Sequence, residues 1–342
     1  MKATIDDVAA LAGVSIKTVS RVVNQEPNVR DATRDRVENA IRELNYQPNR
    51  SAQSLASYHS QIVSLVYEDP SLYVTPSSGF IIRMQQGALQ ACREVGYELL
   101  IHPLRYREKQ AHEELTRLID RVRPDGVILA APLSNVTKLA KTIEATETPF
   151  VRISPGQARC KQYTVSTNDR QISAEMTRYL ASLGHKRIAF IAGDPTHKAV
   201  GHRLLGYKDG LAESGIEFVD ELVGQGNNLI DSGEAAAEKL FSLRERPTAI
   251  FAANDDMAAG VIRAADRLNI SVPDELSVAG CDDVALAQLI YPALTTINQP
   301  LASMTELAAR TLIKAVRKKK EPEGSDIVAA QIRLRDSTAP PP

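Results

Sequence analysis

Strand-length apolar runs alternate with helical patterns over most of this chain, from residue 61 to residue 298. The predicted strands are residues 62–67, 97–101, 126–129, 150–153, 187–191, 249–252, 277–280 and 295–298, with weaker candidates at 165–166 and 222–223. Such alternation indicates parallel sheets with helices on both faces. Because these strands are too many for one sheet of this size, we predict an α/β fold with two doubly wound lobes. A ligand cleft is expected between the lobes, at the carboxyl ends of the strands.

The N-terminal segment carries short helical patterns and no strand. Thr4 and Asp7 have the spacing of a capping box before an apolar helical stripe, and Gly13 is suited to end that helix in the left-handed conformation. Ser15 offers an N-cap for a second helix, and a third helix is predicted from about residue 32 to 44. Two short helices around a glycine-containing turn predict a helix-turn-helix; a small helical bundle without a ligand is the alternative.

The second predicted helix carries more hydrogen-bonding side chains than a purely structural helix needs. They are Ser15, Lys17, Thr18, Ser20, Arg21 and Asn24. Short polar side chains at a helix N-terminus suit contacts with phosphate. Lys17 and Arg21 are spaced i, i+4, so they project from one face that can enter a major groove. The pattern therefore favours DNA as the ligand.

Charge and cysteine content limit the class of protein without revealing its ligand. The chain has 342 residues, 43% of them hydrophobic, and its 41 basic and 42 acidic side chains give a net charge of −1. It has enough apolar material for a core, and its bulk charge does not favour nucleic acid. No apolar run is long enough for a transmembrane helix, and Asp6 and Asp7 stand where a signal peptide needs apolar residues. Three widely spaced cysteines fit reduced thiols. We therefore predict a cytoplasmic location.

A long, gapless series of motifs covers the N-terminal segment. It consists of Ile5-Asp6-Asp7-Val8-Ala9, Ala12-Gly13-Val14-Ser15, Thr18-Val19-Ser20-Arg21-Val22-Val23-Asn24, Thr33-Arg34, Leu44-Asn45-Tyr46 and Pro48-Asn49. These motifs closely resemble the DNA-binding head of the lactose-repressor (LacI) family. Arg30 departs from the family, which usually has Ser or Thr as the cap of the third helix. Because Arg30 cannot accept hydrogen bonds, we expect Asp31 or a looser helix start instead.

The resemblance implies which residues meet DNA. Residues 47–60 would form a hinge helix that orders on DNA, with Leu55 as a wedge in the minor groove; a flexible linker is the alternative, because so short a helix is unstable alone. The expected base contacts are Ile16, Lys17, Arg21, Ala52, Leu55 and Ala56. The expected DNA-backbone contacts are Thr4, Ser15, Thr18, Ser20, Asn24, Thr33, Tyr46 and Asn49.

The resemblance extends, more loosely, over the rest of the chain. It rests on Leu183-Gly184-His185-Lys186-Arg187-Ile188, Arg203, Gly206-Tyr207, Gly210-Leu211, Phe251-Ala252-Ala253-Asn254-Asp255, Gly280-Cys281-Asp282-Asp283 and Tyr291-Pro292-Ala293-Leu294-Thr295-Thr296-Ile297. It implies a periplasmic-binding-protein type of core whose chain crosses between the lobes three times. We expect a head over 1–46, a hinge over 47–60, a first lobe over 61–162 and 293–325, a second lobe over 163–292 and 326–336, and a disordered tail over 337–342.

Candidate effector contacts follow from positions in this core. Arg203 suits vicinal hydroxyls or a carboxylate, and Asn254 and Asp282 can pair with hydroxyls. The alternatives are a surface ion pair for Arg203 and helix caps for Asn254 and Asp282, although Asp283 is the better placed of the two aspartates as a cap.

Several departures from the family bear on the same pocket. Asn228 stands near a position where relatives often have an aromatic, Ser154 begins a replacement for an Asp-Arg pair, and Ser78 replaces the Asn of an Asn-Pro-Phe. Phe80 either stacks on the ligand or belongs to the lobe core. The expected effector contacts are Ser78, Phe80, Ser154, Arg203, Asn228, Asn254 and Asp282.

Catalytic functions have less support. The sequence has no dinucleotide fingerprint, P-loop or nucleophile elbow, and its histidines lack metal-ligand spacing. We therefore predict no cofactor, no metal and no enzyme activity. A periplasmic-type solute-binding or sensor protein, or a sugar-processing α/β enzyme, is the alternative.

We predict a homodimeric repressor that binds a near-palindromic operator of double-stranded DNA. A hydroxyl-rich effector, most simply a sugar, is expected to control this binding, and no membrane contact is expected.

Overall fold

The computed structural model of the chain describes residues 3–23, 27–46, 59–69, 79–156 and 161–342. The chain divides into two units, over residues 1–60 and 61–342, and each is described by itself. None of the helices in the described ranges is both long and apolar enough to cross a membrane.

Three helices form the first unit: α1 (Ile5–Ala12), α2 (Ile16–Val23) and α3 (Asp31–Glu43). The predicted capping box is confirmed, because Asp7 N donates to Thr4 Oγ1 (3.3 Å) and Thr4 N donates to Asp7 Oδ2 (2.8 Å). Val8, Val19 and Val37 have no exposed surface and belong to one hydrophobic cluster. The packing of these side chains fixes the arrangement of the three helices.

The helix ends agree with the sequence patterns. Gly13 has a φ of 62°, the left-handed conformation that ends α1. At the start of α2, Thr18 N donates to Ser15 Oγ over 3.2 Å, as a Ser N-cap does. Arg30 precedes α3 and makes no side-chain capping hydrogen bond, so the looser start is confirmed.

The first lobe of the second unit contains a parallel sheet with helices on both faces. Its strands are β1 (Ile62–Glu68), β2 (Glu98–Leu104), β3 (Gly126–Leu129), β4 (Phe150–Ile153), β5 (Thr164–Ser166) and β11 (Ser325–Ile327), in the order β11-β5-β4-β3-β1-β2. Its helices are α4 (Gly79–Glu94), α5 (Ala111–Val122), α6 (Thr137–Glu144) and α12 (Leu301–Arg317). Leu65 and Val66 are consecutive in β1, fully buried, and belong to different hydrophobic clusters. Both faces of this sheet are therefore covered.

The second lobe repeats this architecture. Its strands are β6 (Ile188–Ala192), β7 (Val223–Gln225), β8 (Ala249–Ala252), β9 (Ser277–Asp282), β10 (Thr295–Asn298) and β12 (Gln331–Arg333), in the order β12-β10-β9-β8-β6-β7, and only β12 runs antiparallel. Its helices are α7 (Asp169–Ser182), α8 (Lys198–Glu213), α9 (Ile230–Phe241), α10 (Asp255–Arg267) and α11 (Ala285–Leu289). The rings of Phe190, Tyr207 and Phe251 are fully buried. The centroid of the Phe190 ring lies 5.2 Å from that of Tyr207 and 5.3 Å from that of Phe251. The predicted two-lobed α/β class is confirmed.

The chain crosses between the lobes after β5, after β10 and between β11 and β12. The predicted boundaries differ from these crossings by a few residues. The prediction assigns residues 163–166 to the second lobe, but Thr164 of β5 pairs with Arg152 of β4 in the first. It also assigns residues 293–298 to the first lobe, but β10 pairs with β9 of the second. Strand pairing decides these boundaries, and a pattern along one strand does not reveal its neighbours.

The prediction of a disordered tail over 337–342 is wrong. Ser337 has no exposed surface; its Oγ donates to Val278 O over 2.6 Å and accepts from Thr295 N over 2.8 Å. Ala339 N donates to Ser277 Oγ over 3.0 Å. The tail therefore supplies partners for polar groups of β9 and β10 that would otherwise be buried without them.

Candidate nucleic-acid interface and ligand cavity

One face of α2 presents the predicted base-reading side chains. Val19 and Val22 are buried in the core of the first unit. Ile16 is 48% exposed, so it is not part of that core, and Lys17 is exposed as well. Arg21 follows Lys17 by one turn and is half-buried. The helix therefore carries one apolar and two basic side chains outside the core, a combination suited to base-edge contacts.

Hydroxyls at the helix starts are oriented by local hydrogen bonds. Ser15 Oγ and Thr18 Oγ1 lie 2.9 Å apart, and Ser15 caps α2 while Thr4 caps α1. Their positions at helix N-termini suit phosphate, because the first backbone N–H groups and the helix dipole both attract anions.

Other predicted backbone contacts lie on the same unit. Ser20 and Thr33 are half-buried. Tyr46 packs against the hydrophobic cluster, and burial, together with the negative charge of Asp6, raises the pKa of its phenol above the usual value. The remaining predicted DNA contacts lie outside the described residues; they are Asn24, Asn49, Ala52, Leu55 and Ala56.

A cavity lies between the two lobes, at the carboxyl ends of strands from both sheets. Its volume is about 870 Å³, including open space at its mouth. It is lined by Tyr67, Glu68, Phe80, Ile81, Met84, Ala131 and Pro132 of the first lobe and by Asp194, His197, Val200, Arg203, Asn227, Asn228, Leu229, Asn254 and Asp282 of the second. Apolar walls with a few convergent polar groups are typical of small-molecule sites.

Arg203, on α8, is the buried cation of this cavity. It is only 6% exposed, and its Nε donates to Asp169 Oδ1 over 2.9 Å. Its Nη1 donates to the carbonyl of Ala253 and lies 3.8 Å from Asp282 Oδ1. The alternative of a surface ion pair is wrong, because the pairing with Asp169 is buried within the second lobe.

Asp282 ends β9 and places its carboxylate beside Arg203. Gln299 Nε2 donates to Asp282 Oδ1 over 2.5 Å. Burial raises the pKa of the Asp282 carboxyl well above its usual value, an effect that the positive charge of Arg203 opposes. A buried carboxylate with one strong donor retains capacity to accept hydrogen bonds from a ligand.

Two asparagines complete the polar wall. Asn254 Oδ1 accepts from Met257 N over 3.0 Å and so caps α10, while its Nδ2 donates to Asn228 O over 2.9 Å. Asn228 Oδ1 accepts from Asp194 N over 3.2 Å. Asn254 therefore has the capping role given as its alternative and also lines the cavity.

Comparison with known proteins gives a family match for each of the two units. The model of bacterial regulatory proteins of the lacI family matches residues 4–49, and that of the periplasmic binding protein-like domain matches residues 177–338. The regulator DegA of Bacillus subtilis is 32% identical over 99% of this chain and 99% of its own. This chain belongs to the lacI family.

Other members of the lacI family extend the comparison. The regulator GalR of Escherichia coli is 33% identical over 99% of this chain and 96% of its own length. A lac repressor dimer bound to operator and an anti-inducer has a TM-score of 0.83 at 26% identity, covering 99% of this chain and all of its own. A CelR–cellobiose complex has a TM-score of 0.76 at 30% identity, and the match covers 98% of this chain and 99% of the relative's chain. The chain is thus a DNA-binding transcriptional regulator, and the prediction that it is not an enzyme is confirmed.

The cavity of this lacI-family chain brings together five of the seven predicted effector residues. They are Phe80, Arg203, Asn228, Asn254 and Asp282. Ser154 does not line the cavity: the chain turns there with a φ of 48°, and Ser154 N donates to Val165 O of the adjacent strand. Ser78 lies outside the described residues. Phe80 lines the cavity and also packs against the first-lobe core, which is the alternative given for it.

The expectation that Asp283 caps a helix is wrong. Helix α11 follows Val284, which makes no side-chain capping bond. The Asp283 carboxylate instead accepts from Asn298 Nδ2 and from Arg335 Nη2, over 2.6 and 2.5 Å.

Sequence reasoning missed several cavity residues. Glu68 ends β1 and Asp194 follows β6 by two residues, so the rule that ligands meet the carboxyl ends of parallel strands was a usable signal for both. His197 gave no such signal, because it lies in an irregular segment before α8. Burial lowers its pKa to about 4, helped by the positive charge of Arg203, so its ring is neutral at pH 7 and offers both a donor and an acceptor.

In the described part of the chain, no cluster of three or more His, Cys, Asp or Glu side chains is suited to hold a metal ion.

Proposed function

We propose that this lacI-family regulator is a homodimeric, cytoplasmic repressor whose affinity for a near-palindromic operator is switched by a hydroxyl-rich effector, most simply a sugar. The observation that supports an effector of this class is the convergence of Arg203, Asn254 and Asp282 on one cavity between the lobes. Each of these side chains pairs well with hydroxyl groups.

The wall opposite this polar group suits the apolar face of a sugar ring. Tyr67, Phe80 and Met84 of the first lobe line the same cavity. A ring with hydroxyls at its edge and C–H groups on its faces matches such a combination of polar and aromatic surfaces. A solved relative that covers nearly the same length of chain holds cellobiose. We propose Phe80, Arg203, Asn228, Asn254 and Asp282 as effector contacts.

For the operator, we propose base contacts from Ile16, Lys17 and Arg21, with Ala52, Leu55 and Ala56 in the minor groove. We propose backbone contacts from Thr4, Ser15, Thr18, Ser20, Asn24, Thr33, Tyr46 and Asn49.

One head of this size buries too little surface for tight binding alone, so two heads act together. The half-sites should lie one helical turn apart, about 34–36 Å, as dimeric helix-turn-helix proteins require. A solved relative is a dimer bound to operator.

A thermal-shift screen of mono- and disaccharides, followed by operator titration, tests this function. A specific ligand raises the melting temperature by mass action. We expect at least one sugar to do so and to change operator affinity about 5–150-fold, the range of typical allosteric coupling. If no sugar stabilises the protein, the proposed effector class is wrong.

The variant Asp282→Ala separates the two sites. It removes a proposed acceptor for sugar hydroxyls, so it should bind operator like the parent and lose the response to sugar. Asp220→Ala, a substitution at an exposed position of the same lobe, is the matched control and should respond fully. Normal sugar affinity in Asp282→Ala would show that the effector binds elsewhere.

Two results would contradict the proposed dimer. One is a monomer in sedimentation at working concentration, and the other is a protected DNA site without dyad symmetry.

A further inference from the structure

The turn at the end of β9 has a backbone conformation that residues with side chains rarely adopt. The φ angle is 122° at Asp282 and 56° at Asp283. Neither residue is glycine, so the turn is strained and persists only because its surroundings hold it. Asp282 also lines the cavity. Whatever holds the turn therefore decides where the Asp282 carboxylate stands.

The second lobe holds the side chains of this turn. Gln299 donates to the Asp282 carboxylate, and Asn298 and Arg335 donate to that of Asp283. These bonds restrain the two carboxylates, but they do not engage the two backbone carbonyls, whose direction follows the strained φ angles.

The carbonyls are held from the other lobe. Arg83, on α4, donates from Nη1 to Asp283 O over 2.8 Å and to Asp282 O over 3.2 Å. Helix α4 packs directly on the turn, because a Cβ added to Gly79 would lie 2.7 Å from Val284 Cβ. A bulkier residue at 79 would therefore displace the helix from the turn.

We propose that Arg83 is a positioning residue for effector binding. It holds the turn of Asp282 and Asp283 in its left-handed conformation and so presents the Asp282 carboxylate to the cavity before the effector arrives. This inference rests on the proposed function in one respect, the role of Asp282 as an effector contact.

The arrangement also links the lobes. Because Arg83 belongs to the first lobe and Asp282 to the second, the direction of the carboxylate depends on how the lobes are set against each other. Without Arg83, two partly buried carbonyls lose a charged donor, and the turn can relax toward negative φ. Such a change moves the carboxylate away from its partners in the cavity.

Hydrogen–deuterium exchange of the full, effector-free chain tests the geometric part. Arg83→Met keeps the aliphatic stem and removes the donors. We expect amide exchange in a peptide covering residues 282–290 to rise about tenfold, with the rest of the second lobe unchanged. Arg93→Met, at an exposed position of the same helix, is the matched control and should leave that peptide as in the parent. Equal exchange in Arg83→Met and the parent would overturn the inference.

A double-mutant cycle distinguishes positioning from general adhesion between the lobes. Asp283→Gly and Asp283→Ala both remove the carboxylate that Asn298 and Arg335 hold, but only glycine adopts positive φ without strain. Compared with an Asp283→Ala background, the turn therefore needs Arg83 less in an Asp283→Gly background. We expect Arg83→Met to raise exchange less than twofold in the Asp283→Gly background. An increase as large as in the Asp283→Ala background would mean that Arg83 only joins the lobes.

Ligand titration tests the functional part, with cellobiose, ribose and glucose as probes. For each sugar that stabilises the parent, we expect Arg83→Met to weaken binding about tenfold while operator affinity of the sugar-free protein stays as in the parent. Unchanged sugar affinity beside a loosened turn would overturn the positioning role. If the parent binds none of the three, their role as effectors fails, and the exchange measurements still decide whether Arg83 holds the turn.

Discussion

Arg203 and Asp169 form a buried ion pair across two adjacent helices: Arg203 Nε lies 2.9 Å from Asp169 Oδ1, and their side chains are 7% and 6% exposed. The pair joins α8 to α7 inside the second lobe and orients the guanidinium that lines the cavity. The same two helices carry a second pair, Arg170 with Asp209, in which the arginine is 58% exposed. The two pairs have the same chemistry and differ in burial.

This difference predicts unequal contributions to stability. Asp169→Ala leaves a buried guanidinium without its carboxylate, and breaking a buried pair in this way costs about 3–5 kcal/mol of the free energy of unfolding. Asp209→Ala, the matched control, breaks the solvent-screened pair and should cost much less. Urea denaturation measures both. Equal losses in the two variants would show that burial of the Asp169 pair is not what matters.

A second prediction concerns pH. The pKa of His197 is lowered to about 4 in the folded protein, against about 6.5 in the unfolded chain. Between these values the unfolded state binds a proton that the folded state does not. The free energy of unfolding therefore falls as the pH drops from about 6.5 to 4, by up to about 3 kcal/mol from this residue.

His197→Gln removes this titration. Between pH 6.5 and pH 4, the free energy of unfolding should fall more steeply with pH in the parent than in the variant. Above pH 7, the two curves of unfolding free energy against pH should run parallel. Chemical denaturation at closely spaced pH values gives the comparison. Parallel curves over the whole range would mean that the ring is as easily protonated in the fold as in the unfolded chain.

The sequence predicts well what depends on local pattern. The first helix, its Thr4 cap and the Gly13 turn follow from the spacing of a few residues, and they are confirmed. Strands such as β3 and β8 are short apolar runs preceded by a polar residue, and their predicted ends are confirmed. Two of the edge strands gave no such signal. Strand β11 has an exposed burial pattern and β12 is largely exposed, so neither has an apolar run to detect.

The cavity was only partly predictable, because its parts come together through tertiary structure. Arg203 was identified from the family resemblance, but its partner Asp169 lies 34 positions earlier, and no pattern links them. His197 is conspicuous only once its position in the cavity beside Arg203 is known. The tail ends in three consecutive prolines, and such a terminal segment is often disordered. Hydrogen bonds to β9 and β10 nevertheless hold Ser337 and Ala339 in place.

A third prediction concerns base readout by α2. If Arg21 pairs with guanine, Arg21→Ala should weaken binding by about 1–3 kcal/mol and relax the preference at that base pair. Ser20→Ala, which removes a proposed phosphate contact, should weaken binding to all sequences alike. Binding measured against a set of single-base operator variants separates the two patterns. A uniform loss from Arg21→Ala would contradict base contact by Arg21.

The last prediction concerns the C-terminal tail. Removal of residues 337–342 takes away three hydrogen bonds made by Ser337. Its hydroxyl donates to Val278 O over 2.6 Å and accepts from Thr295 N over 2.8 Å, and its carbonyl accepts from Val278 N over 2.8 Å. Each buried polar group left without a partner costs about 1–3 kcal/mol, so the truncated protein should lose at least about 3 kcal/mol of unfolding free energy.

Two smaller changes identify the source of that loss. Ser337→Ala deletes one hydroxyl that both donates and accepts, so it leaves two buried groups without that partner and should account for at least about 2 kcal/mol of the loss. Deletion of Pro342 alone, which is exposed, should leave the unfolding free energy unchanged. Urea denaturation of the three variants supplies the comparison. If the full truncation unfolds at the same urea concentration as the parent, solvent replaces the tail's hydrogen bonds at no cost and the tail does not stabilise the second lobe.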